Sequence, residues 1–277
     1  MSATPHPIPR LLSIAGSDSG GGAGIQADLK AFAACGAHGM TAITAITAQN
    51  TVGVDAVHAI PPDVIVAQVR AVVEDIGVDA VKIGMLGTAE TIAAVDAALD
   101  LLAPGTPVVV DPVMVAESGA ILLDEDARAA LIERILPRAT VVTPNLPEAR
   151  VLSGAGEDAT PAVLARAIHA LGPQAVVVTG GHRAAIVDTV WDGATLTEIP
   201  GERHPDGAAH GSGCTHSSAL AAHLARGAHP LDAARAAHVL AAAAVKCGLR
   251  GLGTGPGPVD ALGAGAPGGV RINDPLA

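Results

Sequence analysis

The chain has no tyrosine, and its whole aromatic inventory is Phe32 and Trp191 among 277 residues. A surface that stacks nucleic-acid bases on aromatic rings is therefore excluded. Lysine is nearly as scarce, with only Lys30, Lys82 and Lys246. The 16 Lys and Arg face 27 Asp and Glu, for a net charge of −11, so no clustered basic face exists for a phosphate backbone. The cysteines, Cys35, Cys214 and Cys247, are odd in number and form no Cys-x-x-Cys pair, which argues against a disulfide framework or a thiolate zinc site. No run reaches the about 18 uninterrupted apolar residues of a membrane helix. Residues 1–10 lack a basic segment followed by an apolar one, so no secretory leader is expected. The expectation is a reduced, soluble, cytoplasmic protein with neither nucleic acid nor membrane as partner.

What is present points to a packed fold. Apolar residues make up 49% of the chain and charged residues only 16%, which rules out intrinsic disorder. The core must be built from Ala, Val, Leu and Ile. The length suits one large α/β domain spanning residues 1–277. From Gly251 the composition turns to Gly and Pro, and residues 261–277 read as a loose surface tail.

Short β-branched runs alternate with helical patterns. Strands are predicted at 11–15, 40–48, 81–83, 108–111, 141–143 and 176–179. Helices are predicted at 24–35, from Pro61-Pro62 onward, at 88–102 and 124–136, briefly from Glu148, and at 161–171, 215–226 and 231–247. Residues 186–191 and 196–199 flank Asp192-Gly193 as a hairpin. This alternation implies a mostly parallel sheet covered by helices on both faces. Ligands of such sheets bind beyond the carboxyl ends of the strands, so the loops there carry the functional candidates.

The loop after the first strand, Gly16-Ser17-Asp18-Ser19-Gly20-Gly21-Gly22-Ala23-Gly24, holds five glycines in nine residues. Glycine lets backbone amides approach a ligand at a helix N-terminus, although the same residues can simply make a turn. No Gly-Lys-Ser/Thr follows, which rules out a Walker A loop. Gly22-x-Gly24-x-x-Ala27 meets a relaxed dinucleotide fingerprint, but residues 29–54 contain no Asp or Glu for a ribose, so a Rossmann oxidoreductase is a distant alternative.

Gly211-Ser212-Gly213-Cys214 opens an apolar helix. Its amides and the helix dipole suit developing negative charge, and a cysteine there would have a lowered pKa and an exposed, reactive sulfur. The competing reading, a Gly/Ser helix cap with Cys214 as a small buried residue, stands beside it. Asn145-Leu-Pro-Glu148 has the spacing of a capping box, while its amide and carboxylate could also position hydrated Mg²⁺ beside phosphates. Asp111 ends an apolar run, where an acid is costly unless paired or metal-bound. Gln49-Asn50 and Lys82-Ile-Gly-Met85 put polar groups at strand ends, where they could hydrogen-bond a small polar ring or merely form a turn and a surface lysine. The 11 histidines match no zinc signature and read mostly as surface or loop residues.

In order and spacing, these motifs resemble the hydroxymethylpyrimidine/phosphomethylpyrimidine kinases of thiamine biosynthesis, in the ribokinase-like superfamily. The resemblance runs from Ser13 to about Val259, most specifically over Ile14-Ala-Gly-Ser-Asp-Ser-Gly-Gly-Gly-Ala-Gly-Ile-Gln-Ala-Asp-Leu-Lys30. It is supported by Thr47-Ala-Gln-Asn50, Lys82-Ile-Gly-Met-Leu86, Asp111-Pro-Val-Met114, Thr143-Pro-Asn-Leu-Pro-Glu-Ala149, Gly180-Gly-His182 and Gly211-Ser-Gly-Cys214. The resemblance implies a three-layer αβα sandwich, dimeric, that uses ATP and Mg²⁺ to phosphorylate the pyrimidine hydroxymethyl group and then the monophosphate. It implies that Gln49, Ala23, Met85, Gly16 and Asp28 bind the pyrimidine, and that Gly211, Ser212, Gly213 and Cys214 form a catalytic anion hole. Cys214 falls where sugar kinases of the superfamily place a catalytic Asp. Asn145, Glu148, Thr179 and Gly181 would hold the nucleotide, with Asp111 and Glu148 organising the metal. A Cys214 thiolate would serve as base for the alcohol, a service the second, already anionic acceptor does not need.

The chain departs from the family pattern where Thr179, Glu117 and Thr254 replace common lysines and Ser212 replaces a threonine. Phosphate charge would then fall to Mg²⁺, backbone amides and Arg183. The alternatives are a pyridoxal kinase on the same scaffold and a pyrimidine-binding module without catalysis.

Overall fold

The computed structural model describes residues 8–115, 119, 122–181, 186–205 and 207–265. Glu117, His182, Arg183 and most of the predicted 261–277 tail lie outside the described residues. Among the described residues, nine strands form one sheet. In chain order they are β1 (Arg10–Asp18), β2 (His38–Gln49), β3 (Val54–Ala59), β4 (Ala80–Ile83), β5 (Val108–Val110), β6 (Val141–Val142), β7 (Ala175–Val178), β8 (Val187–Trp191) and β9 (Leu196–Pro200). Their spatial order is β3-β2-β1-β4-β5-β6-β7-β8-β9. The six strands from β2 to β7 pair in parallel, while β3 and the β8–β9 hairpin add antiparallel edges.

Alternation along the strands divides the core into two layers. Leu12, Ile14, Val108, Val110, Val176 and Val178 face one side, covered by α2 (Pro62–Asp75), α3 (Ala89–Leu99), α4 (Glu125–Ala130), α5 (Leu146–Ser153) and α6 (Pro161–His169). Leu11, Val109, Ala175, Val177 and Val190 face the other, covered by α1 (Gly24–Ala34), α7 (Ser212–Leu224) and α8 (Pro230–Lys246). This three-layer αβα architecture matches the fold class expected from the sequence.

Three differences have physical causes. Strand β3 escaped the sequence reading because none of its side chains is buried, so it shows no apolar alternation. The predicted helix 124–136 breaks up after Ala130 into a π-helical turn and a 3₁₀ turn, where Pro137 lacks the N–H that would continue the ladder. The segment after Gly251 is not simply laid over the surface, since Val259 and Asp260 are buried and the Val259 amide donates to the His210 carbonyl at 3.0 Å. Among the described residues, no helix is long and apolar enough to cross a membrane.

Phe32 is fully enclosed between the sheet and α7. Truncating it (Phe32→Ala) is expected to cost about 3–5 kcal/mol in urea unfolding. Val57→Thr on the exposed edge strand should stay within about 0.5 kcal/mol of wild type. Similar losses for the two would contradict the described core.

Candidate active site

The carboxyl ends of the strands open into one cavity of about 450 Å³. The loop after β1 forms one wall. Asp18, at the end of β1, is almost wholly buried and accepts hydrogen bonds from the amides of Gly20, Gly22 and Ala23 at 2.8, 3.0 and 2.8 Å. Burial alone would raise its pKa. His210, 3.4 Å from the carboxylate, and the Ala23 and Gly20 amides outweigh that and hold it below the ordinary range. The loop then packs backbone to backbone against the start of α7. Gly211 has φ +84°, and a Cβ there would lie 1.8 Å from the Gly22 carbonyl oxygen, so only glycine lets the two loops meet.

Gly16, Ala23, Gln49 and Met85 line one end of this cavity. A Cβ on Gly16 would fall 2.5 Å from Met85 Cε, so the thioether lies directly against the strand backbone. The Gln49 side-chain oxygen accepts from Thr47 Oγ1 at 3.2 Å, which orients the amide.

At the centre lies α7, whose first turn contains Ser212, Gly213 and Cys214; it begins three residues earlier than the sequence pattern suggested. Below it, Lys82 Nζ is fully enclosed, 2.8 Å from Asp28 Oδ1 and 3.9 Å from Asp111 Oδ2. Asp28 also accepts from Ser13 Oγ at 2.6 Å and Ser218 Oγ at 2.8 Å, while Ser217 Oγ donates to Asp111 Oδ2 at 3.1 Å. Asp28 therefore does not reach the substrate end as the resemblance implied. It stays with the buried cation, whose charge it balances.

Cys214 is half-buried. Contrary to the expected lowered pKa, burial pushes its thiol up to about 12; Lys82 pulls it down, and Asp28 and Asp111 push it up again. The Gly24 amide hydrogen-bonds the sulfur, but this and the helix dipole do not reverse the balance. The resting residue is a thiol.

Asp111, Asn145, Glu148, Thr179 and Gly181 carry the cavity onward. The capping box is real: Asn145 Oδ1 accepts from the Glu148 amide and Glu148 Oε2 from the Asn145 amide, both at 2.9 Å. Capping and cavity lining thus coincide in the same two side chains. Burial and the nearby Asp111 charge push the Glu148 pKa up to about 8, and burial also raises Asp111. At the far end lie Asp188, His216 and His238, together with Ala241, Ala242 and Val245 of α8.

Asp18 and Asp188 were assigned no role from the sequence, and His210, His216 and His238, read with the other histidines as mostly surface or loop residues, are buried. Asp188 had a usable signal, an acid inside the apolar strand β8, the same signature that singled out Asp111. The histidines had none, because nothing local distinguishes the buried His210, His216 and His238 from exposed ones. Of the residues that replace common lysines of the family, Thr179 lines the cavity and Thr254 is exposed.

A family model described as phosphomethylpyrimidine kinase matches residues 18–260. A hydroxymethylpyrimidine/phosphomethylpyrimidine kinase from Rhizobium meliloti is 51% identical over 254 residues, covering 90% of this chain and 95% of its own length. A pyridoxal kinase from Staphylococcus aureus, solved in complex with ADP, superposes with a TM-score of 0.84 at 37% identity, over 92% of this chain and 94% of the other. A phosphomethylpyrimidine kinase from Clostridium difficile gives a TM-score of 0.73 at 40% identity, over 83% and 96% of the two chains.

Removing the Asp18 carboxylate charge (Asp18→Asn) sets an amide N–H₂ among three amide donors. It is expected to cost about 1–3 kcal/mol in urea unfolding at neutral pH. The wild-type carboxyl is depressed, so its contribution is present above the ordinary carboxylate range and is lost as pH falls through its own lowered value. The gap between variant and wild type should therefore close in acid. A variant as stable as wild type at neutral pH would contradict the anchoring role.

Proposed function

Because the chain belongs to the phosphomethylpyrimidine kinase family, we propose that it transfers the γ-phosphoryl group of ATP to the hydroxymethyl oxygen of 4-amino-5-hydroxymethyl-2-methylpyrimidine and then phosphorylates the resulting monophosphate to the pyrophosphate. One observation carries this reading. A single cavity runs from Gln49 and Met85, past the start of α7, to Thr179 and Gly181, so an acceptor ring, a transferring phosphate and a nucleotide can lie in line. Gln49 hydrogen-bonds the aminopyrimidine, and Gly16, Ala23 and Met85 close around the ring. Gly211 and Gly213 direct amides at the transferring phosphate, backed by the buried Lys82 charge, while the Ser212 amide is held by the Ala209 carbonyl at 2.9 Å. Asn145, Thr179 and Gly181 face the nucleotide.

Magnesium suits the donor set at Asp111 and Glu148. Both carboxyls are buried and raised, Glu148 partly by its neighbour's charge, which is the condition of paired acids short of a cation. Among the described residues no cluster of three or more His, Cys, Asp or Glu could hold a metal ion by itself. Mg²⁺ needs none, since it keeps waters and phosphate oxygens in its remaining positions. When bound it supplies charge neutralisation for the phosphates. We further propose a cytoplasmic homodimer, with the exposed edge strand β3 available to a second copy.

The function is tested by coupled ATP turnover with hydroxymethylpyrimidine, its monophosphate and pyridoxal offered separately. Turnover with both pyrimidines is expected. Activity with pyridoxal alone would move the chain to the sister activity, and silence with all three would leave only a binding module.

Cys214 takes the hydroxyl proton in the first transfer, whereas the second acceptor arrives ionised. Since the thiol rests protonated with a pKa of about 12, its thiolate fraction grows tenfold per pH unit well below that value. The first step should therefore accelerate between about pH 7 and 9, and the second should not show that rise. Cys214→Ala should lower the first step by about 10²–10⁴-fold, remove the rise and spare most of the second. Any pH dependence from Glu148 would persist in the variant. Equal losses in the two steps would reduce Cys214 to a hydrogen-bond donor.

A further inference from the structure

One cluster of buried titratable groups has no part in the transfer described above. Asp188 of β8 accepts the Gly180 amide on Oδ1 at 2.8 Å. Its Oδ2 lies 2.7 Å from His238 Nδ1 and 3.6 Å from His216 Nε2. All three side chains are buried, and they come from β8, α8 and α7.

Each arm of the cluster leads to a different part of the cavity. Gly180 sits between Thr179 and Gly181, both of which line it. His216 follows Cys214 by two residues on the helix that starts at the anion hole. His238 stands on α8, which presents Ala241, Ala242 and Val245 to the cavity. The far edge of the His238 ring is pressed by Gly201, where a Cβ would lie 2.4 Å from Nε2. His238 is thus wedged between β8 and the segment that follows β9.

Hydrogen bonding to Asp188 raises the His238 pKa against the effect of burial, while burial lowers that of His216 and His238 adds repulsion. The other charged or titratable groups lining this end are Glu202, Arg203 and His204, from the segment after β9.

We propose that Asp188 and His238 are positioning residues for the nucleotide: the protonated pair braces α8 against the Gly180 turn, and loss of the proton relaxes the wall that receives ATP. The proposal rests on reading this end of the cavity as the ATP site, and its test separates the two. ADP is titrated calorimetrically into the full chain at about pH 6 and about pH 8.5, on either side of the ordinary histidine range. Wild-type affinity should fall on the order of 5-fold from the lower to the higher pH relative to His238→Gln. The glutamine can still donate to Asp188 but carries no charge, and the titration of ADP itself is common to both proteins. Asp188→Asn should weaken ADP at both pH values while leaving the KM for the pyrimidine within about 2-fold, a split that a merely structural defect would not give. Should Asp188→Asn fail to fold, His238→Gln still decides the matter. A His238→Gln protein that follows the wild-type pH dependence would overturn the proposal, as would a pyrimidine KM that shifts as much as ADP affinity. Absence of ADP binding to wild type at both pH values would overturn the ATP reading itself and the proposal with it.

Discussion

The Lys82 ammonium is shut away from water, with Asp28 at 2.8 Å and one oxygen of Asp111 at 3.9 Å. Burial would strip its proton, but the charge and hydrogen bond of Asp28, with the charge of Asp111, outweigh that and raise its pKa above the ordinary value. A charge taken out of water is tolerated only with such compensation, and removing one partner leaves another stranded. These groups come from β4, α1 and the end of β5, and serines of β1 and α7 complete their hydrogen bonds. One polar knot therefore joins the sheet to its helical layer directly beneath the start of α7.

That position explains why the fold and the site share residues. The cavity exists because parallel strands end together and their loops turn away from the sheet. Two loops are then held at backbone contact by glycine, with Gly211 against the Gly22 carbonyl. Asp18 gathers three amides of the first loop, and the start of α7 presents the second. The two carboxyls that suit a cation stand beside these loops, one of them also serving as a helix cap. The chain thus uses few charged side chains, and the aliphatic core around them raises the energetic stakes of each.

Much of this was legible beforehand because it rests on local pattern. Glycines that must approach another backbone, an acid in an apolar run and an Asn-x-x-Glu spacing each carry a physical signature within a few residues. Strand β3 carried none, since no part of it is buried. The reach of Asp28 was misjudged because sequence shows a residue's neighbours along the chain but not the lysine of another strand that it meets. Cys214 was misjudged for a related reason: the helix start was visible, but the burial and the two nearby carboxylates that raise its thiol came from tertiary packing. The buried histidines were invisible for the same cause, as α7 and α8 bring His216 and His238 to Asp188 only in the fold.

In the proposed mechanism the Lys82 charge both holds this knot together and supports phosphoryl transfer above it. This is tested most directly by the turnover of a Lys82→Met/Asp28→Leu double variant, in which cation and counter-ion leave together so that no charge of that pair is stranded. A cooperatively folded protein is expected whose first phosphorylation is slowed by about 10²–10³-fold, the scale of losing one preorganised electrostatic contact. A folded double variant that turns over within a few-fold of wild type would contradict it and leave Lys82 a structural residue alone.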